Sequence, residues 1–396
     1  MVTMTKKTSP PPITARHVIR SSWKLLIVFS VLLCVLALYR FQSQQPDLYS
    51  PSSSSSSSSS LSRARSRISR HSVSFAGPAK IAFLFLARRD LPLDFLWESF
   101  FENAGGALNF SIYIHSAPGF VFDESTTRSR FFHGRQLPNS IQVGWGESSM
   151  IEAERLLFAT ALEDPANQRF VLLSDSCVPL YNFSFIYNYL MASPRSIVDS
   201  FLDVKEGRYN PKMSPTIPKA KWRKGSQWIA LIRRHAEVLV DDEVILPVFK
   251  KFCRRRPPVD IRKGKLNLKL QKQHNCIPDE HYVQTLLAMS ELDGELERRT
   301  LTYTLWSNSP NKTESKGWHP MTFNHANAAP QKIRAIKEIS HVYYETEFRT
   351  EWCRINSTAV PCFLFARKFS KGAAMRLLSE GVVGHFNTAT LLKPSP

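Results

Sequence analysis

The chain is 396 residues long, 43% apolar and 11% aromatic, which excludes a segment too polar to hold a core and leaves room for one large domain or two small ones. Its formal net charge is +19. Residues 1–80 hold eleven Lys and Arg against a single acid, Asp47, and account for +10 of it; +9 belongs to the remainder. That balance suits polyanionic partners: nucleic acid, an anionic membrane surface or a nucleotide diphosphate.

From Leu25 to Tyr39 the chain is uncharged and almost wholly apolar. Trp23, Lys24, Arg40 and Phe41 bracket it, so aromatic anchoring and snorkelling extend it to a membrane span over residues 24–41. Lys6, Lys7, Arg16, Arg20 and Lys24 precede it without an acid, which by the positive-inside rule makes residues 1–23 a cytosolic tail and the rest lumenal. That is the topology of a single-pass type II signal-anchored protein. A cleaved signal peptide competes with it, but no small-x-small site follows the apolar core, since Ala37 is succeeded by Leu38, Tyr39 and Arg40. Residues 42–79, with the run Ser52 to Ser60 and then Arg63, Arg65, Arg67 and Arg70, cannot build a core and read as a flexible stem. The folded lumenal domain then takes residues 80–396.

A lumenal domain carries its own expectations. Asn109, Asn182, Asn311 and Asn356 stand in Asn-x-Ser/Thr sequons and are candidate glycan acceptors. Five cysteines follow the span, an odd count that fits two disulfides and one free thiol in an oxidising compartment. Cys253 with Cys276 and Cys353 with Cys362 are the pairings that close short loops, leaving Cys177.

Order begins at Lys80. Ile81 to Ala87 is an apolar run of strand length, a helical segment follows through Trp97 and Phe101, and Phe110 to Ile114 is a second strand. A third strand ends near Val143. Ser149 with Glu152 forms a capping box for a helix that buries Ala153, Leu156, Leu157 and Ala161. Arg169 to Leu173 is the next strand. This alternation predicts an α/β fold with a mostly parallel sheet, helices on both faces, and ligands beyond the strand C-terminal ends. The second half is less regular: a strand over Gln227 to Ile232, one or two helices from Ala236 to Phe252, a basic loop from Arg254 to His274, a helix starting at Pro278, a strand over Leu301 to Trp306, and a strand-helix pair across Phe363 to Leu378.

Five stretches could carry chemistry. Ser174-Asp175-Ser176-Cys177 stands at a strand end, where Asp175 either faces a nucleotide or caps a turn. The chain contains no Asp-x-Asp pair of the kind that holds a divalent ion against a sugar-nucleotide diphosphate. No metal or other cofactor is therefore expected, and Arg and Lys would neutralise a nucleotide leaving group. In Ile277-Pro278-Asp279-Glu280 the acids either complement a helix dipole or supply a general base, Glu280, to an acceptor hydroxyl. Lys221-Trp222-Arg223-Lys224-Gly225-Ser226-Gln227-Trp228 mixes aromatics and cations, which suits sugar faces and also bases or phosphates. Arg367 and Lys368 interrupt an apolar run, as solvent-facing alternates or as functional cations, and Arg298 with Arg299 precedes a strand as plain surface charge would.

Taken together, Trp145-Gly146-Glu147-Ser148, Leu172-Leu173-Ser174-Asp175-Ser176-Cys177-Val178-Pro179-Leu180, Lys221 to Trp228, Pro278-Asp279-Glu280 and Phe363-Leu364-Phe365-Ala366-Arg367-Lys368-Phe369 resemble the core-2/I-branching β-1,6-N-acetylglucosaminyltransferase family, glycosyltransferase family 14, and its plant-type branch most closely. The resemblance implies a GT-A-like fold, inversion at the anomeric carbon, a UDP-sugar donor and no metal. N-acetylglucosamine is the implied sugar, moved to a glycan or glycoprotein acceptor at the Golgi membrane. By the same resemblance Glu280 is the catalytic base and Lys368 with Arg299 meets the diphosphate; Arg367 beside Lys368 is a further candidate there, and Asp175 and Ser176 mark the nucleotide region by their place at a strand end. Trp222, Arg223, Lys224, Gln227 and Trp228 then lie where the family binds acceptor. Glucuronosyl or xylosyl transfer within the family is one alternative, and a lumenal carbohydrate-binding protein without catalysis is another. A nucleic-acid partner fits the charge but not the lumenal side of a membrane.

Overall fold

The computed structural model describes residues 75–382 apart from 107, 206, 256–274, 307–319 and 356. The tail, the 24–41 span, nearly all of the stem, the sequons at Asn311 and Asn356 and most of the basic loop lie outside the described residues. Among the described residues no helix is long and apolar enough to cross a membrane.

The elements run β1 (Lys80–Leu86), α1 (Asp94–Glu102), β2 (Phe110–His115), α2 (Ser148–Leu162), β3 (Asn167–Ser174), β4 (Val178–Pro179), α3 (Phe183–Ala192), β5 (Ser196–Ile197), β6 (Ala230–Ile232), α4 (Arg233–Asp241) and α5 (Ile245–Phe252). They continue with α6 (Tyr282–Met289), β7 (Leu296–Glu297), β8 (Thr302–Thr304), α7 (Pro330–Lys337), β9 (His341–Tyr344), β10 (Arg349–Trp352), the short pair β11 (Arg354–Ile355) and β12 (Thr358–Ala359), β13 (Phe365–Arg367) and α8 (Lys371–Ser379). The central sheet has the order β2-β1-β3-β6-β5-β7, parallel except at β6. The fold is thus a mixed α/β architecture with a mostly parallel central sheet.

β1 reads as an unbroken apolar run because both of its faces are covered, as a parallel sheet between helices requires. Ile81, Phe83 and Phe85 point into one core with Trp97, Phe100 and Phe101 of α1, whereas Ala82 and Leu84 face the other with Ile151, Leu157 and Phe158 of α2. Each fully buried side chain of this size contributes on the order of 2 kcal/mol. The Trp97 indole N–H donates to the Cys177 carbonyl, which ties α1 to the turn after β3. A second sheet, β4-β13-β8, packs beside this turn and carries β13, the last strand among the described residues, toward it.

Three local expectations change. The segment ending at Val143 forms no strand: its neighbour Gln136 makes only an isolated bridge to Ile114, and the Ile141 N–H donates to His115 Nε2 rather than to a ladder. No capping box starts α2, since Ser149 Oγ accepts from the Gly144 N–H and Glu152 is ion-paired with Lys250. The helix expected from Pro278 splits into a 3-10 turn over Pro278–Glu280 and then α6. Cys253 is bonded to Cys276 and Cys353 to Cys362, and Cys177 is a buried free thiol. Of the described sequons, Asn182 is exposed and caps α3, its side chain accepting from the Phe185 N–H, and Asn109 leads into β2.

Candidate active site

The C-terminal edge of the central sheet meets the end of β13. β3 stops at Ser174, and the next turn offers Asp175 and Ser176. The Phe369 N–H donates to the Ser176 carbonyl at 3.0 Å, so Arg367 and Lys368 sit against that turn. Burial first, then the charges of Arg367 and Arg88, pulls the Lys368 ammonium below the usual lysine range, while Asp175 acts the other way. The Arg367 guanidinium lies 4.5 Å from the centre of the Trp228 ring, and its Nε is buried without a partner among the described residues. Asp175 is already engaged by the exposed Arg88 at 3.0 Å. Three cations therefore gather around this turn, and of them only Arg88 is ion-paired with Asp175.

Across from these cations stands the 3-10 turn that carries Asp279 and Glu280. Glu280 is partly exposed; its carbonyl accepts from the Gly225 N–H at 2.9 Å, and its Oε2 accepts from Arg208 Nη1 at 2.5 Å. Gly225 has to be glycine, because a Cβ there would lie 1.7 Å from the Asp199 carbonyl oxygen. The Asp199 side chain fastens the same segment, accepting from the Ser226 N–H at 2.9 Å and from the Tyr344 hydroxyl at 2.5 Å, and burial pushes its carboxyl up to about 6. Beneath Glu280, burial and then the Glu280 charge push Asp279 up to about 7, while the Arg208 and Arg367 charges act the other way. The Asp279–Arg367 interaction joins the two sides of the site. Glu154 of α2 is also held well above the carboxylate range by burial and by Asp279, with Gln227 Nε2 donating to it at 2.7 Å.

Glu280, Lys368, Arg367, Asp175 and Ser176 therefore border one region. Arg299 does not join them. It is 0% exposed, donating to the Cys362 carbonyl at 3.0 Å and to the Tyr189 hydroxyl at 2.8 Å, so it braces the β13 approach from inside the core and cannot meet a diphosphate. The aromatic and cationic stretch also divides. Trp222 is 2% exposed, stacked on Phe249 at 5.5 Å and on His281 at 4.5 Å, with its indole N–H donating to Asp203, and offers no face to a sugar. Arg223 bonds the Ala220 carbonyl and Asp293, and Trp228 lies under Arg367. Gln227 is spent on Glu154. Lys224 lines an open cavity of about 330 Å3 together with Asp203, Tyr343 and Tyr344.

Sequence reading missed Arg208, Arg88 and the pair His115–Ser116. Arg208 sits in no motif, and only its contact with Glu280 reveals it. His115 and Ser116 end β2 at the same sheet edge; His115 Nδ1 and Ser116 Oγ are buried without partners among the described residues, and burial drops the imidazole to about 4. A rule that polar residues just past parallel strands face the ligand crevice would have flagged them.

Residues 81–337 match the family described as Core-2/I-Branching enzyme. Glycosyltransferase BC10 from Oryza sativa subsp. japonica is 53% identical over 319 residues, which is 80% of each chain. Two crystal structures of the galactosyltransferase LgtC, an active-site mutant and a complex with donor and acceptor sugar analogs, align over 72% of this chain and 86% of theirs, at 10% and 9% identity. Their TM-score of 0.31 is too low for shared detail to be read across.

Proposed function

The chain belongs to the Core-2/I-Branching enzyme family and is a glycosyltransferase, and from that premise we propose that it inverts a UDP-sugar, N-acetylglucosamine by preference, onto a glycan or glycoprotein hydroxyl without a metal ion. The observation that carries this reading is the partly exposed Glu280 carboxylate beside a group of cations at the sheet edge. Glu280 takes the proton of the acceptor hydroxyl as its oxygen attacks the anomeric carbon. The bond from that carbon to the β-phosphate oxygen breaks on the opposite face, which gives inversion, and UDP leaves with the electron pair. Lys368 and Arg367 meet the growing negative charge in a partly desolvated setting, where such charges are worth most. Arg208 holds the Glu280 carboxylate in one orientation. On this reading the nucleotide lies over the β1–β2–β3 edge, near His115, Ser116 and Asp175, as in a GT-A-like site. The apolar segment at Leu25–Tyr39 with its basic flank supports anchorage in the Golgi membrane with this domain lumenal.

The test is transfer and donor hydrolysis by the purified lumenal domain across several UDP-sugars. Glu280→Gln is expected to fold normally and to lose at least about two orders of magnitude in turnover. Full activity in excess chelator accompanies this mechanism; loss of activity that manganese restores, or near-normal transfer by Glu280→Gln, refutes it.

A further inference from the structure

β9 and β10 pair with Tyr343 opposite Thr350 and His341 opposite Trp352. Alternation along the strands sends Tyr344 inward to Asp199 and puts His341, Tyr343, Thr350 and Trp352 on the outer face. That face is aromatic, where an exposed hairpin face is ordinarily polar: Tyr343 is 56% exposed and Trp352 52%. His341 and Trp352 lie side by side with ring centres 4.8 Å apart, and Arg354 stands 5.8 Å from the Trp352 ring.

The hairpin is also fixed to the site. Glu347 accepts from the Leu202 N–H and from Arg298, Lys205 pairs with Glu345, and Phe201 packs on Tyr344. Tyr343 lines the same cavity as Lys224 and Asp203. Lys224 precedes Gly225, whose N–H bonds Glu280, and Asp203 accepts from the backbone N–H of Arg208, the residue that bonds the Glu280 carboxylate. The aromatic row therefore starts at the cavity that Lys224 and Asp203 line and runs outward, with Tyr343 and the His341–Trp352 pair two residues apart along the strand, about 7 Å.

We propose that this outer face is a platform for an extended acceptor, an oligosaccharide of several sugars, with Trp352 and His341 forming a subsite distal to the reacting hydroxyl. The inference rests on the reading of Glu280 as the base and deepens it by naming the acceptor class. A pyranose presents an apolar face of C–H bonds, weakly positive at hydrogen, to the negative face of an aromatic ring, while Arg354 offers donors to the flanking hydroxyls. The cavity shared with Lys224, one residue before the Gly225 that bonds the Glu280 carbonyl, and a fixed rather than hinged platform, favour a chain that leads toward the base over a separate partner.

The experiment titrates labelled ladders of galacto-, lacto- and cello-oligosaccharides, two to six sugars long, against the purified domain by tryptophan fluorescence and as acceptors. Apparent affinity is expected to improve about five- to tenfold as one series lengthens from two to four sugars. Trp352→Ala is expected to abolish that gain while leaving kcat and the disaccharide KM unchanged, and Trp352→Phe to keep most of it. Three results overturn the platform: no ladder binds, wild-type affinity ignores length, or the length dependence survives Trp352→Ala. A fourth is that Trp352→Ala instead disperses a dimer, which would make the face a contact between copies. Acceptor-free hydrolysis of the UDP-sugar reports on Glu280 separately, so the platform can fail while the reaction stands.

Discussion

On the proposed donor side, Arg367 and Lys368 make no ion pair among the described residues and Asp175 is taken up by Arg88, whereas on the proposed acceptor side the charges are matched, Arg208 to Glu280, Lys205 to Glu345, and Arg298 and Arg349 to Glu347. The contrast separates two tasks. The Arg367 and Lys368 charges, partly withdrawn from water, are unfavourable until an anion arrives, which suits the proposed donor side. A matched network has nothing to gain from a charged ligand; it holds a neutral alcohol's surroundings still.

Arg299 stands apart from the cationic side because it is buried against Cys362 and Tyr189. Arg299→Met leaves the Tyr189 hydroxyl and the Cys362 carbonyl without their donor, and is expected to cost about 3 kcal/mol of stability in denaturant melts. The kcat of the folded fraction should stay within about twofold; a large fall in kcat at unchanged stability would return Arg299 to the diphosphate. Lys368→Ala is expected to lower kcat/KM about a hundredfold, roughly 2.7 kcal/mol, with partial rescue in Lys368→Arg. Unchanged kinetics would show that the surplus charge does not act on the leaving group.

The smallest effect sharpens the acid side. An unfolded Asp loses its proton near pH 4. Folded Asp279 keeps it up to about 7, because of burial and then the Glu280 charge. Between those values the folded chain holds a proton that the unfolded chain lacks, so stability falls as pH rises from about 4 to 7 and is flat above. Asp279→Asn removes that slope. Compared with wild type it should gain about 2 kcal/mol between pH 5 and pH 8 in denaturant midpoints. Parallel profiles for the two proteins would mean that Asp279 is ionised in the fold.

What the sequence revealed follows from how local each feature is. β1 and β3 were legible because apolar runs buried on both faces leave a continuous signature, the edge strand β2 because Phe110, Ile112 and Ile114 alternate with Ser111 and Tyr113, and the disulfides because their loops are short. Glu280 and Lys368 stand out through motif resemblance alone, since neither a helix-start acid nor a cation in an apolar run marks itself as functional. Arg299 misled because a charge before a strand looks the same whether water or Tyr189 receives it. Trp222 misled in the same way, its partners Phe249 and His281 lying 27 and 59 positions away. Arg208 was invisible since it meets Glu280 across 72 positions with no pattern to mark it. Long-range pairing is what folding adds, and a string of residues holds no local trace of it.

Gly225 sets a boundary on how this site can diversify. Any side chain at that position would collide with the Asp199 carbonyl and push the segment off the Glu280 backbone, so position 225 tolerates no variation that keeps the base in register. Relatives or engineered variants with new acceptor preferences must accordingly change elsewhere. The outward residues of the β9–β10 hairpin are where such change is cheapest, since they line the proposed acceptor platform and neither Gly225 nor Glu280 bonds to them.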